Sequence, residues 1–466
     1  MQDLSHLSSP VFTPVAATSP LADHSARILV IGGGASGVLM AAHLLRADPQ
    51  ARVTLIEGAH PFGCGVAYST TDPDHLLNTR VRNMSAFADT PGHFLNWLQQ
   101  RPETRDRDGD SFVGRATYGA YLSALLSQGY ARLVCLQRTC LAITEQADGV
   151  TVTLDDGTCI RGGQAVLATG HILPRTDPEG LLTGAWTPVQ GIAPEGRVVI
   201  VGSGLSMVDQ VVSLLNHGHA GPIVAVSRRG QMPRRHAASH PMPIAAAEVP
   251  FGAPVSELMR WARHMAARAE AAGGTWRDAV DGIRVHVAQI WQHLPIAARD
   301  RFLRHATVWW DVHRHRIPPV AASRIEAAIA AGQLVIERGS FRGATRGNRG
   351  EIRALVYLKR VGAPVTLEAA CILDCRGIRN DPERHGTPLI RNLLAEGLAR
   401  VDPLHIGLDV DQDCRLIARD GLASRRIRAI GPVSRAAFWE ITAVPDIRDQ
   451  TAILTPQLLQ PVCAGE

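Results

Sequence analysis

Two stretches of this chain share one local pattern, and few folds accommodate it. Arg27-Ile28-Leu29-Val30-Ile31 is a short apolar run that ends in Gly32-Gly33-Gly34-Ala35-Ser36-Gly37. Val38, Leu39, Ala42 and Leu45 then recur at helical spacing, and Val53 to Ile56 is a second apolar run closed by Glu57. Further on, Arg197 to Val201 leads into Gly202-Ser203-Gly204, an apolar-periodic stretch from Met207 to Leu215, and the run Ile223 to Ser227. Apolar runs of this length, alternating with amphipathic helices, are buried parallel strands covered on both faces. The expected fold is α/β, with two Rossmann-like dinucleotide-binding domains.

Each glycine of the first motif has its own task. Gly32 permits the tight turn, Gly34 lets the backbone approach a pyrophosphate, and Gly37 lets helix and strand pack closely. The helix start, with Ala35 and Ser36, offers free N–H groups and a partial positive charge to phosphate. Glu57 stands twenty residues beyond Gly37, where a carboxylate binds a ribose hydroxyl pair. The second motif, with Gly202, Gly204 and Ser206, has Met207 where a third glycine would stand. Its second strand runs into Arg228 and Arg229, and arginine there suits a 2′-phosphate through charge-assisted, bidentate bonds. The pair of motifs therefore predicts FAD held by the first unit and NADPH read by the second. Val166-Leu167-Ala168-Thr169-Gly170 reads as the crossover from one to the other, and Leu373-Asp374-Cys375-Arg376-Gly377 as the return.

Composition excludes other chemistries. Lys359 is the single lysine among 48 basic residues, and it lies in no glycine-rich loop, which argues against P-loop, Schiff-base and pyridoxal enzymes. A net charge of +5 over 466 residues points to no nucleic acid partner. No apolar run approaches the roughly 18–20 residues that span a bilayer, and the start of the chain shows no signal peptide, so the expected location is cytoplasmic. The eight cysteines include no Cys-x-x-Cys pair. Cys371 and Cys375, four apart on an expected strand, would lie roughly 13 Å apart, too far for a disulfide, and Cys64 reads as structural. His313 and His315, two apart on an expected helix, do not share a face, so no metal site is expected. Arg234, Arg235, His236 and His240 follow the second motif and either face a ligand or are solvated.

The expected organisation is a mobile extension over 1–25, a first FAD-binding part over 26–190, an NADPH-binding part over 191–370 and a second FAD-binding part over 371–466. A mostly helical insertion is expected over about 231–331, followed by a β-meander of 334–337, 352–358 and 365–367.

Further motifs carry a family resemblance. They are Gly63 to Thr70, His75-Leu76-Leu77-Asn78, Met84 to Phe87, Gly431-Pro432, and Phe438 to Arg448. With them the chain resembles the bacterial FAD/NAD(P)-binding family that includes flavin-dependent urate hydroxylases and amino-acid N-oxygenases. More distantly it is similar to the class B flavin monooxygenases, including ornithine and lysine N-hydroxylases, with which it shares Asp89, Pro91, Phe94, Leu95, Arg115, Tyr118 and Tyr121. The resemblance implies that the 63–84 segment, with Tyr68, Leu77, Asn78 and Met84, lines the flavin, and that Cys64 replaces a basic residue there. Pro445 suits the first position of a helix, so Thr442 to Val444 would present its N–H groups, and the resemblance implies that this end faces the flavin pyrimidine. The activity implied is an NADPH-dependent monooxygenase. FAD is reduced, O2 adds at the flavin C4a, and the peroxyflavin oxygenates a small polar, nitrogen-containing metabolite by N-oxidation or ring hydroxylation. Asn78 is the candidate polar group beside the oxygen adduct. Two alternatives stand beside this reading: an FAD-dependent reductase or dehydrogenase without oxygen insertion, and a non-catalytic nucleotide-binding regulator. Oligomeric state is not readable.

Overall fold

The computed structural model describes residues 26–460 other than 128–131, 175–176, 190, 349–350 and 379–380, together with Val462. The expected N-terminal extension lies outside the described residues. In chain order, strand β1 (Arg27–Ile31), helix α1 (Ala35–Ala47), β2 (Arg52–Ile56), α2 (Arg115–Leu126) and β3 (Leu133–Leu136) come first. A three-stranded antiparallel layer follows, made of β4 (Cys140–Gln146), β5 (Gly149–Leu154) and β6 (Cys159–Gly162), and then β7 (Gln164–Leu167). Next are β8 (Thr183–Gly184), β9 (Val198–Val201), α3 (Leu205–Asn216) and β10 (Ile223–Ser227). The helices α4 (Val255–Ala271), α5 (Trp276–Arg284), α6 (Val287–His293), α7 (Ile296–His305), α8 (Thr307–Arg314) and α9 (Pro319–Ala330) fill most of the expected helical insertion. After them come β11 (Leu334–Arg346), β12 (Ile352–Leu358), β13 (Ala363–Ala369), β14 (Cys371–Asp374), β15 (Arg415–Ile417), β16 (Ala423–Ala429) and α10 (Val444–Leu459).

The described residues form two compact units: those up to 69, 80–171 and those from 381 onward make the first, and 70–79 with 172–380 the second. The crossings therefore fall at 171/172 and 380/381, where 190/191 and 370/371 were expected. Two strands explain the shift. Short β8 pairs with β14, and β14 pairs in parallel with β9, so both belong to the second sheet.

The first sheet has the order β15-β16-β7-β1-β2-β3, parallel except at the β15–β16 edge. The second has the order β13-β12-β11-β10-β9-β14-β8. In β9, Val198 and Ile200 enter one core with Val211, Leu214 and Leu373, while Val199 and Val201 enter another with Val226, Val356 and Ile372. That two-sided burial is why the run is apolar at every position.

The expected meander is only half of what forms. β11 is one 13-residue strand. Its first residues pair in parallel with β10 and its later ones antiparallel with β12, with a register shift between Phe341 and Gly343. Cys375 lies just past β14 and Cys371 on it. Helix α10 starts at Val444, with Pro445 in its first turn rather than at its first residue.

Candidate dinucleotide-binding sites

In the first unit, the turn after β1 is fixed by contacts that admit only glycine. Gly32 has φ +109°, and a Cβ there would stand 2.3 Å from the Ala168 carbonyl oxygen at the end of β7. Its N–H donates to Ile56 O at 2.8 Å. A Cβ on Gly37 would stand 1.8 Å from Gly32 O, so the third glycine sets the helix–turn approach. Gly34 differs: it is the N-cap of α1, and its missing Cβ would meet only Gly65 Cα, at 3.7 Å. No side chain caps this helix. Its first N–H groups thus have no capping side chain, which is the condition for a helix start to take a phosphate.

Glu57 accepts from Gly33 N at 2.8 Å through Oε2, and from Ala59 N at 2.9 Å and His60 N at 3.2 Å through Oε1. Three backbone donors orient the carboxylate and tie it to the glycine turn. Gly33 was not singled out from sequence, and its role depends on a partner 24 residues away.

Around the start of α1 the fold assembles more of the expected residues. Gly431 has φ +65°, a Cβ there would meet Ser36 Oγ at 2.3 Å, and its N–H donates to Gln450 Oε1 at 2.8 Å. Thr169 and Gly170 follow β7 beside Gly32, with Gly170 at φ +68°. The Gly63-Cys64-Gly65 turn presses on α2, where a Cβ on Gly119 would meet Cys64 Sγ and Tyr68 Cβ at 3.2 Å each. Burial pushes the Cys64 thiol up, so it stays protonated at neutral pH and fits a packing role.

Tyr68 packs edge-on against Tyr118, ring centroids 5.0 Å apart, and burial pushes its phenol up to about 12. The buried Tyr118 hydroxyl donates to Met84 O at 3.0 Å. Ala86 N–H donates to the Tyr121 oxygen, and His93 Nδ1 lies 2.7 Å from the same oxygen. Asp89 forms a two-pronged pair with Arg46, both distances 2.9 Å. At α10, Ala443 is an N-cap without a side-chain bond, and Val444 begins the helix. The Thr442 N–H is already donated to Glu440 O, leaving the N–H groups of Ala443 and Val444 for any ligand.

The second unit repeats the turn with different readers. Gly202 has φ +117°, and a Cβ there would stand 2.2 Å from Cys375 O, just as Gly32 abuts Ala168. Leu373 to Gly377 is therefore the structural counterpart of the Ala168-Thr169-Gly170 crossover. Arg376, which stands where the first crossover has Thr169, is locked to Asp374 by bonds of 2.7 and 2.6 Å. Gly204 caps α3 with nothing within 4 Å of its missing Cβ, and Ser206 lies in the first turn. Met207 is fully buried in the unit's core, so this helix is anchored by a side chain where Gly37 allows backbone contact.

At the end of β10, Ser227 takes the place that Glu57 has in the first unit. Its Oγ lies 2.7 Å from Ser203 Oγ and accepts from Gly230 N at 3.1 Å. No carboxylate stands there, and Arg228, exposed, and Arg229, half-buried, follow at once. Among the described residues neither guanidinium has an acidic partner. The residues fit a dinucleotide with a 2′-phosphate.

Leu77 and Asn78 belong to the second unit, whereas Tyr68 and Met84 belong to the first. The 70–79 strap is held by bonds that sequence reading did not reveal. Ser213 Oγ donates to Asp72 at 2.6 Å, His75 Nε2 lies 2.9 Å from Ser213 Oγ, and Arg324 pairs with Asp74 at 2.8 Å. Asn78 O accepts from His236 Nε2 at 2.9 Å. His313 bonds back to Trp309 O and stacks edge-on against Trp276.

Residues 29–172 match a family model described as FAD-NAD(P)-binding. Over 168 residues the chain is 32% identical to a 3-amino-4-hydroxybenzoate 2-monooxygenase of Streptomyces platensis, covering 32% of this chain and 41% of that protein. The chain thus matches about two fifths of that relative's length. Among solved structures, the ornithine N-hydroxylase of Kutzneria sp. 744 superposes with a TM-score of 0.63 at 16% identity, over 94% of this chain and 99% of that one. The FAD-bound cadaverine monooxygenase of Erwinia amylovora superposes at 0.64 with 12% identity, over 94% and 96%. The chain has the α/β fold of these two-dinucleotide flavoproteins. No helix among the described residues is long and apolar enough to cross a membrane.

Proposed function

We propose that this chain is an NADPH-dependent flavin monooxygenase acting on a small amine-bearing metabolite. The observation that carries the reading is the pair of uncapped glycine turns with opposite ribose readers: the carboxylate Glu57 in one unit, Arg228 and Arg229 in the other. An acid suits free ribose hydroxyls and repels a 2′-phosphate, whereas arginine attracts it. A protein that reads both kinds of dinucleotide is built to pass a hydride from NADPH to FAD.

Gly32, Gly34, Ala35, Ser36, Gly37, Glu57, Thr169, Gly170 and Gly431 would hold FAD. Gly202, Gly204, Ser206, Arg228 and Arg229 would hold NADPH. Bound FAD supplies the redox chemistry, accepting a hydride and activating O2. The chain's part is to orient the two dinucleotides and to keep water away. The N–H groups at Ala443 and Val444 would stabilise negative charge on a ligand at that helix end. Asn78, fixed by its carbonyl to His236, keeps its side-chain amide free of described partners and able to donate to an oxygen.

Oxygen insertion is favoured over thiol chemistry. All seven described cysteines are free, and burial pushes the thiols of Cys371 and Cys375 up, away from the reactive thiolate. The named relatives act on aminohydroxybenzoate, ornithine and cadaverine, so an amine is the shared substrate group, and the outcome is N-oxidation or ring hydroxylation. Reliance on NADPH fits a cytoplasmic location.

The test is anaerobic. Purified protein should carry FAD that heat releases, and NADPH should bleach it faster than NADH. A protein that binds no FAD on reconstitution, or whose FAD is not reduced by NADPH, rules the reading out.

A further inference from the structure

Arg316 lies between α8 and α9 with its side chain 5% exposed. One of its amino groups, Nη2, pairs with Asp281 on α5. Its Nε and Nη1 are buried and have no hydrogen-bond partner. A charged donor left unpaired in the interior is costly, and buried guanidinium groups in folded proteins are normally satisfied.

The two carboxylates on α5 are already engaged. Asp281 also accepts from Ser239 Oγ at 2.9 Å. Asp278, the other acid on α5, accepts from the His240 and Thr275 N–H groups at 2.5 and 2.6 Å. Arg277 donates to the Arg235 carbonyl at 2.9 Å and lies over the Trp276 ring, 4.4 Å from its centroid, both neutral groups. Burial and then the nearby Arg316 charge push the Arg277 guanidinium down. Two guanidinium groups thus face two carboxylates, of which only Asp281 is bonded to either of them, through Arg316.

The position is informative too. Ile317, the next residue, accepts the His236 N–H at 2.9 Å, and the His236 ring holds the Asn78 carbonyl. Arg316 is thus joined, within one unit, to the segment that carries the candidate reactive amide.

We infer that Arg316 anchors a carboxylate of the substrate, so the substrate class is a small amine-bearing carboxylic acid. The spare hydrogens of Nη1 and Nη2 form the two-pronged edge that a carboxylate fits, and Nε remains for a water or second acceptor. The inference takes the substrate to be an amine from the monooxygenase reading, but binding is testable without turnover.

The test uses matched probes on the FAD-loaded protein, with binding measured by calorimetry: ornithine against putrescine, lysine against cadaverine, and 3-amino-4-hydroxybenzoate against 2-aminophenol. At least one acid should bind about 10- to 100-fold more tightly than its decarboxylated counterpart. Arg316→Lys keeps a cation for Asp281 and removes the planar donor edge. It should melt within a few degrees of the parent and erase the preference by weakening the acid alone. Absence of a carboxylate preference in every pair overturns the inference, as does a preference that survives in a folded Arg316→Lys protein. Tight, Arg316-dependent binding without NADPH-driven oxygen transfer would uphold the anchor and count against the monooxygenase reading.

Discussion

Gly37→Ala separates the packing role of a motif glycine from the ligand role. The added Cβ would stand 1.8 Å from Gly32 O, and ordinary van der Waals contact begins near 3.4 Å. The carbonyl cannot yield, because Gly32 is pinned by Ile56 O on one side and by the Ala168 carbonyl on the other. The start of α1 must therefore retreat by about 1.6 Å. Overpacking of this kind costs about 1–3 kcal/mol of stability. A hydrogen bond of ~2.9 Å from the helix start to a phosphate would stretch to ~4.5 Å, beyond useful range. Each charge-assisted bond so lost is worth about 1.5–3 kcal/mol, or roughly 10- to 150-fold in affinity. Fluorescence quenching on adding FAD to apoprotein reads the affinity, and thermal melting reads the stability. An alanine variant with parental FAD affinity and an unchanged melting temperature would refute the packing argument.

Three other outcomes follow from the geometry. Gly204→Ala meets no atom within 4 Å, so it should fold normally, with stability within about 0.5 kcal/mol, yet raise the Michaelis constant for NADPH by intruding where phosphate would lie. Arg228→Ala should raise the Michaelis constant for NADPH about tenfold or more and leave that for NADH nearly unchanged; equal effects on both would remove the 2′-phosphate assignment. In the first unit, burial pushes His43 and His93 below their ordinary value, so the unfolded chain takes up protons more readily. Their neutral forms support the fold fully above about pH 6.5, and that support is lost as pH falls below it. Thermal melts from pH 8 to 5 should drop most below 6.5, and a His43→Asn/His93→Asn pair should reduce the drop, leaving the part due to His171, which burial pushes down to about 4.

Much of the scaffold is readable from short-range pattern. The runs at Arg27 and Arg197, the glycines after them, Glu57, and the arginines after Ser227 all act within one strand–turn–helix–strand unit, where local sequence dictates geometry. What escapes is set by distant partners. Nothing near Asp72 or His75 announces that their partner is Ser213, so the assignment of Leu77 and Asn78 to the second unit is invisible in sequence. The same holds for β14, whose apolar run fits either sheet until its pairing with Val198 to Val201 is seen. Met207 is legible only as a missing glycine, and its burial shows that a core contact replaces the close backbone approach. Arg316 reads as one arginine among many, and only its burial with two unused nitrogens distinguishes it.

On the proposed function, NADPH, FAD and O2 together oxygenate an amine-bearing molecule. The most direct measurement is mass spectrometry of products formed under oxygen-18 gas, with the amine panel, NADPH and the FAD-loaded protein. One substrate should gain a single labelled oxygen atom, with NADPH consumed in equal amount. NADPH consumption that yields only hydrogen peroxide with every member of the panel, and no labelled product, would contradict it.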